Sequence, residues 1–318
     1  MDVLDIRPTT DADLGQVLSV TTTEPVDWVD ADRYRAGLAT GEYRPGWTWL
    51  ALDGDQVIGR AVWWAPPDAR RPVQLDCLVV DPRVPNRVRL GQQLLAAAHT
   101  AFREAGAADL PDFEQVLQPD FRTDPPVAAA TAWRELAVRR AGLTDRVERV
   151  AMQWSAGTPL PPPSGDLSIE AEPDDDVILD ALQWVAVGSL DVATRRGLVE
   201  LGPEKQARDD LDFFYAAAGA RGWWRTAWTW HGRLVGVAIP SALADGTRTV
   251  GYVGVLPEFR GRRYVDDLLG YVTRFAAEAG ARRVVAATET ANPPMIAALV
   301  RSGYRTSGLR VVHSAPPV

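Results

Sequence analysis

Three arginines fall within four positions of one turn, Arg260-Gly261-Arg262-Arg263. The turn follows a β-type run, Val250 to Val255, that stops at Pro257, and it precedes a run with helical apolar spacing (Val265, Leu268, Leu269, Val272, Phe275, Ala276). Strand, turn and helix start together aim free backbone N–H groups and the positive end of a helix dipole at one point, an arrangement suited to a diphosphate. The arginines would add charge-assisted hydrogen bonds. Further along, Asn292 opens another helical run before Pro293, where an asparagine side chain caps free N–H groups and proline fits the first turn. Asp266 and Asp267 fall in the first turn after the arginines; they favour the dipole but repel phosphate, so they are expected to point away from it.

The elements that must position this turn belong to a chain of 318 residues, longer than one ordinary domain, which suggests two. With 46% hydrophobic and 24% charged residues it can build ordinary globular cores. A net charge of −8 argues against nucleic acid as a partner. No stretch is long and apolar enough for a membrane span, and the start MDVLDIRPTT lacks a basic segment followed by an apolar one. A cytoplasmic protein without membrane contact is therefore expected. Cys77 is alone, and His99, His231 and His313 are scattered, so neither an internal disulfide nor a metal site is expected. The single lysine, Lys205, lies in a polar helical stretch, which makes Schiff-base chemistry improbable. The minimal motifs of serine hydrolases, P-loop nucleotidases and dinucleotide enzymes are missing.

The chain repeats itself on either side of a proline-rich stretch, Gly157 to Gly165, that reads as a semi-rigid linker. Each side opens with a short strand-like run (Val3 to Arg7; Leu167 to Ala171) and an acidic N-cap region. A Trp-containing hairpin follows, turned at Gly54 or Gly232. An apolar strand then ends at Pro82 or Pro257, and a long amphipathic helix ends at Gly106 or Gly280. These landmark pairs are offset by 178, 175 and 174 residues, too regular for chance. The expected organisation is a first domain over 1–156, a linker over 157–165 and a second domain over 166–318. Trp47 with Trp49, and Trp228 with Trp230, alternate along strands and read as core packing. Trp223 and Trp224 border a loop-to-strand junction, where they either pack between the domains or meet an acceptor.

The segments V-L-P-E-F-R-G-R-R-Y-V-D-D-L-L and N-P-P-M-I-A-A-L-V-R-S-G-Y resemble the acyl-CoA loop and following helix of the GCN5-related N-acetyltransferase (GNAT) superfamily. The family's loop reads R/Q-x-x-G-x-G/A. Here Arg260, Gly261 and Arg262 fit, while Arg263 replaces the inner glycine and Val265 the final small residue. The resemblance implies an α+β fold of two tandem GNAT-like domains, each a mixed, mostly antiparallel sheet flanked by helices. It implies acetyl-CoA, or another acyl-CoA, held by Arg260, Gly261, Arg262, Arg263, Tyr264 and Val265, with the cofactor arm along Val253 and Val255 and against Asn292. The acceptor would be a small-molecule amine.

Glu289, at the end of the next strand, reads either as the base or as a solvated strand-end residue. Tyr252 reads either as holding a water or substrate, or as half-buried core. The family's usual tyrosine acid is replaced by Leu299, leaving Tyr304 or Tyr264 as hydroxyl sources. The first half departs further: Pro85 lies within its loop, only Gly91 survives of the glycines, and Asp124-Pro-Pro-Val replaces the Asn-Pro-Pro-Met segment. That half is expected to be structural or to shape the substrate. The expected activity is acyl-CoA-dependent N-acylation, most simply acetyl transfer, in the C-terminal half; the alternative is a non-catalytic or repurposed GNAT-fold protein.

Overall fold

The computed structural model describes residues 4–163, 165–243 and 245–316, and their contacts group the chain into two compact units. The first unit comprises Met1–Val147 and Arg310–Val318, the second Glu148–Leu309.

In the first unit β1 (Leu4–Pro8) leads to α1 (Leu14–Ser19) and α2 (Ala31–Thr40), then β2 (Thr48–Asp53), β3 (Gln56–Trp64) and β4 (Gln74–Val80). The expected start at Val3 lies outside the described residues. The chain continues through α3 (Arg87–Glu104), β5 (Asp112–Leu117) and α4 (Pro125–Arg140). β1 to β4 form antiparallel ladders in order. β4 and β5 run parallel but pair only at Gln74↔Asp112 and Leu75↔Phe113, after which no pairing continues between them. α3 and α4 bury Leu94, Leu95, Ala98, Ala137 and Val138 against Trp63 and Leu75 of the sheet. Each such side chain taken from water is worth roughly 1.5–3 kcal/mol for a leucine or valine. The opposite face holds Val17, Tyr34, Leu50 and Val62.

The second unit begins within β6 (Asp145–Ser155) and continues with β7 (Leu167–Ala171), α5 (Asp175–Ala186), α6 (Val192–Glu200) and α7 (Pro203–Ala216). β8 (Arg225–Thr229), β9 (Leu234–Ala242), β10 (Arg248–Val255), α8 (Tyr264–Glu278), β11 (Arg283–Glu289), α9 (Pro293–Arg301) and β12 (Arg305–Ser314) complete the chain. β7 to β10 are antiparallel neighbours, β10 and β11 are parallel, and β6 closes the set antiparallel to β11. Leu268, Leu269 and Val272 of α8, spaced on one helical face, are fully buried. Each unit is thus the expected α+β layer with a mixed, mostly antiparallel sheet.

The unit boundaries differ from the division at the proline-rich linker into 1–156 and 166–318. β6 follows α4 in sequence, yet it pairs with β11 continuously from Arg283↔Ser155 to Glu289↔Arg149. Residues 310–314 of β12 instead lie with the first unit, where the Arg310 guanidinium bonds Glu114 and the His313 ring faces Phe113 at 6.3 Å. Proline marks where a ladder cannot run, but it says nothing of which strand a neighbouring segment pairs with. The linker itself is held by Arg274, whose guanidinium bonds the Pro161 and Pro162 carbonyls; Ser164 lies outside the described residues. A second correction concerns Trp230. Trp47 and Trp49 are buried, but β8 ends at Thr229, so Trp230 lies in the turn, 70% exposed. No helix among the described residues is long and apolar enough to cross a membrane.

Candidate active site

In the second unit the parallel pairing of β10 with β11 is confined to Arg248↔Val284 and Thr249↔Val285. A bulge follows between Thr249 and Tyr252, with Gly251 at φ +66°. A Cβ there would lie 2.1 Å from the Ile239 carbonyl, so the bulge requires glycine. Beyond it β10 stays on β9, where the Leu256 N–H bonds Val235. Because antiparallel ladders alternate, Tyr252 and Gly254 face β9, and Val253 and Val255 turn their backbone groups toward the side where β11 has parted. These are the two positions expected to bond a cofactor arm.

The turn beyond them fits an anion through its backbone. The N–H groups of Gly261, Arg262, Arg263, Tyr264 and Val265 meet no acceptor among the described residues. Gly261 (φ +78°) and Arg263 (φ +66°) are both left-handed, a nest conformation that concentrates donors at the N-terminus of α8. Arg263 occupies the family's glycine position and adopts the conformation glycine would; its guanidinium pairs with Asp266 at 3.2 Å. Asp266 also takes a two-point bond from Arg301 of α9, both contacts 2.7 Å. It is therefore turned toward α9, as expected, though by ion pairing and not by capping.

The Arg260 side chain, expected at the phosphates, is bonded elsewhere in this structure. Its guanidinium donates to the carbonyls of Val185 (2.7 Å), Val187 (2.7 Å) and Val255 (3.1 Å), fastening the end of α5 to β10. Most of its donors are thereby engaged, while the loop backbone, Arg262 and Arg263 are exposed. Asn292 makes its cap, accepting from the Met295 N–H at 3.3 Å.

At the far end of β11, Glu289 is 2% exposed. Its Oε1 accepts from the Val192 N–H at 3.0 Å and stands 4.0 Å from Arg149, while its Oε2 has no hydrogen-bond partner. Burial first, and the adjacent Asp191 carboxylate, hold this acid's pKa above its ordinary value. Asp191 caps α6 through the Thr194 N–H at 2.9 Å. Asp210 of α7 accepts from Gln206 at 2.8 Å, and burial, with Asp191 and Asp209 adding repulsion, pushes it up to about 6. The Tyr252 hydroxyl is likewise pushed up, chiefly by burial and then by Asp210; its ring lies 5.5 Å from Phe214.

Sequence reasoning missed Asp191 and Asp210. The N-cap spacing of Asp191 and the Gln206–Asp210 pair were readable, but nothing in the sequence said that α6 and α7 converge on Tyr252 and Glu289. Of the two hydroxyl sources, Tyr304 is 2% exposed and bonded to Thr273 at 2.8 Å, which removes it from the cleft; Tyr264 begins α8 beside the nest, its ring 6.1 Å from Phe259. Leu299 is buried. Trp223 packs on Phe275 and under Arg248, and Trp224 on Tyr215 and under Arg221, all within the second unit.

The corresponding cleft of the first unit is filled. Leu78 and Val80 of β4 occupy the places of Val253 and Val255, but the Leu78 carbonyl is bonded by the buried Arg134 Nε at 2.9 Å. Arg134 pairs with Glu24 at 2.6 Å, as does Arg87, and the Trp133 indole donates to the same carboxylate at 3.1 Å. The loop spends part of its donors internally: Arg83 and Val84 N–H groups bond Asp81, and the Asn86 side chain caps α3 through the Arg89 N–H, while the N–H groups of Asn86, Arg87 and Val88 meet no acceptor among the described residues.

Residues 189–304 match the Acetyltransferase (GNAT) family. Among solved structures, the chain is similar to a GCN5-related N-acetyltransferase from Sphaerobacter thermophilus at 17% identity and a TM-score of 0.52, over 99% of this chain and 97% of that one. A glucosamine N-acetyltransferase region in a fungal multi-domain GH3 β-N-acetylglucosaminidase aligns at 15% identity and a TM-score of 0.53, over 98% of this chain and 38% of that one. A tandem GNAT protein from the clavulanic acid biosynthesis pathway aligns at 18% identity with a TM-score of 0.46, over 99% of this chain and 100% of that one. No curated protein matches significantly. The likeness to the first two of these structures is one of fold, with TM-scores of 0.52 and 0.53. The match to the family model lies within the second unit.

Proposed function

We propose that the protein is an acyl-CoA-dependent N-acyltransferase, most simply transferring acetyl to a small-molecule amine, with its active site in the second unit. The observation that carries this reading is the pairing of two free features: the backbone of Val253 beside the parted β11, and the unsatisfied N–H cluster at Gly261 to Val265. When bound, an acyl-CoA supplies a thioester whose carbonyl carbon an amine can attack. The loop amides, with Arg262, would hold the diphosphate, and Val253 with the Val255 N–H would hold the arm and polarise the thioester oxygen. An alkylammonium must first lose a proton to become a nucleophile. Glu289 Oε2, buried and with a raised pKa, suits that task at neutral pH. As the C–N bond forms and the C–S bond breaks, the amine's second proton leaves through water and the departing sulfur gains one. Tyr252, flanking the same space, orients the acceptor.

One observation favours a second reading, in which the fold binds the cofactor without ordinary turnover: Leu299 offers no hydroxyl, and Tyr304 is sealed in the core. Calorimetric titration with acetyl-CoA, followed by free-thiol release against a panel of amines, separates the two. Binding with amine-dependent thiol release supports the enzyme. Binding without release under any amine favours the second reading, and no binding at millimolar cofactor sinks both.

A further inference from the structure

Arg260 and Glu289 grip the two ends of one short segment, the last turn of α5 and the connection into α6. At its start, Arg260 Nη2 donates to the Val185 carbonyl at 2.7 Å, and Nη1 donates to those of Val187 and Gly188 at 2.7 and 3.3 Å. Its Nε donates to the Val255 carbonyl at 3.1 Å, so one guanidinium ties this segment to the strand beside which the cofactor arm is placed. At its end, the Val192 N–H, the first of α6, donates to Glu289 Oε1 at 3.0 Å. The residues between leave little slack. The Ser189 N–H bonds the Ala186 carbonyl at 3.0 Å, the Asp191 N–H bonds the Ser189 hydroxyl at 3.1 Å, and Asp191 caps α6 through the Thr194 N–H at 2.9 Å. Gly188 is left-handed at φ +68°, and a Cβ there would lie 3.2 Å from Arg260 Nη1, so the connection is shaped closely about the guanidinium.

We infer that Arg260 is a positioning residue for the base: by holding the connection from α5 to α6 it sets the Val192 N–H, and through that bond the orientation of the Glu289 carboxyl. The inference rests on the acyltransferase reading for Glu289 as the base. A planar guanidinium fork on several carbonyls fixes direction as well as distance. The bond to Oε1 then decides how Oε2, the oxygen that would take the amine's proton, is presented. Arg260 thereby links the loop whose backbone would hold the diphosphate to the carboxyl at the far end of β11, and a misplacement of about 1 Å from such a distant change can cost about a hundredfold in rate.

The test compares the full chain as wild type, Arg260→Ala, Glu289→Gln and the double variant, with Gly188→Ala as a disturbance of the same turn that keeps Arg260. Circular dichroism checks the fold of each. Arg260→Ala should lower kcat by about tenfold to a hundredfold with acetyl-CoA affinity unchanged, Gly188→Ala should act in the same direction, and the double variant should be no slower than Glu289→Gln alone. The Val192 N–H favours the charged carboxyl, so losing it should raise the pKa of Glu289 further and move the acid limb of kcat/KM to higher pH. Of the charged side chains that face Glu289, Asp191 on α6 and Arg149 on β6 remain in every variant. Arg260's own charge acts on Tyr252, so the Glu289 carboxyl is also titrated directly by carbon-detected NMR, without cofactor or amine, and should show the same upward shift. Additive losses in the double variant, an unmoved titration, or weaker acetyl-CoA binding by Arg260→Ala overturns the inference. Full activity of Glu289→Gln, or no turnover by the wild type, defeats the acyltransferase reading of Glu289 instead, and the titration then decides alone whether Arg260 sets the carboxyl.

Discussion

The two units carry the same strand, turn and helix, and differ in what meets the carbonyl at one strand position. At Leu78 that carbonyl is occupied by Arg134, and Glu24 draws Arg134, Arg87 and the Trp133 indole into one cluster. At Val253 the matching backbone faces the gap left by β11, with no side chain bonded to it among the described residues. The turns diverge likewise. Asp81 and Asn86 take the N–H groups of Arg83, Val84 and Arg89 and Pro85 lacks an N–H altogether, which leaves three N–H groups of the first loop without an acceptor among the described residues, against five consecutive ones in the second. A fold can therefore keep its strand and turn while a few polar side chains complete part of one cleft's backbone hydrogen bonds from within. Glycine content of the loop is a poorer guide than this accounting, since Arg263 holds the left-handed conformation that the replaced glycine would.

The largest expected effect is on the chemistry of the open cleft. Glu289→Gln should lower kcat by about 10²–10⁴-fold, the usual worth of a positioned base, with cofactor affinity unchanged. In the wild type kcat/KM should fall as pH drops through the raised pKa of Glu289, so the acid limb lies above the ordinary carboxylate value of about 4.3. A wild-type profile flat across that range, or a variant with full activity, removes Glu289 from the role. In the filled cleft, Glu24→Gln should cost about 3 kcal/mol in chemical denaturation, because it leaves Arg134 buried without its counter-charge, and acetyl-CoA binding should not change. Loss of cofactor binding in that variant would break the comparison.

Arg260 and Arg262 sharpen it. Arg260→Ala should destabilise the second unit by about 2 kcal/mol, through lost charge-assisted bonds to the carbonyls of Val185, Val187 and Val255. Arg262→Ala should leave stability unchanged and weaken acetyl-CoA by about tenfold, one charge-assisted contact; Arg87→Ala with Arg89→Ala should leave affinity as it is. Calorimetry and denaturation of the three variants check this, and a shared affinity loss for both single variants without any stability loss in Arg260→Ala would return Arg260 to the phosphate. The smallest effect is expected of Arg263→Gly. Relief of a left-handed non-glycine residue is worth about 1–2 kcal/mol, and the added chain entropy of glycine offsets about 0.4–1 of it, so a gain of at most about 1.6 kcal/mol should appear, with cofactor binding tightened and not weakened.

Much of this was legible in the sequence because its signals are local. Pro257, the arginine turn and the apolar period of α8 depend on neighbours in the chain, and Asn292 before Pro293 announces its cap. The repeat offsets exposed the tandem arrangement for the same reason. What the sequence withheld are partnerships over long separations. Arg260 looks like a phosphate ligand until the end of α5 and β10 supply the carbonyls of Val185, Val187 and Val255, and β6 looks like the end of the first half until it pairs with β11. Gly251 is one glycine among 26, and its bulge follows from Ile239 lying behind it. Asp191 and Asp210 are ordinary helix residues until α6 and α7 place them near Tyr252.

Amide hydrogen exchange of the full chain with and without saturating acetyl-CoA tests the central claim most directly, since it reads both clefts at once without any substitution. The account predicts added protection at Val253, Val255 and residues 261–265, and none at Leu78, Val80 or residues 86–90. Protection at Leu78 to Leu90 equal to or greater than that at Val253 to Val265, or at neither, contradicts it.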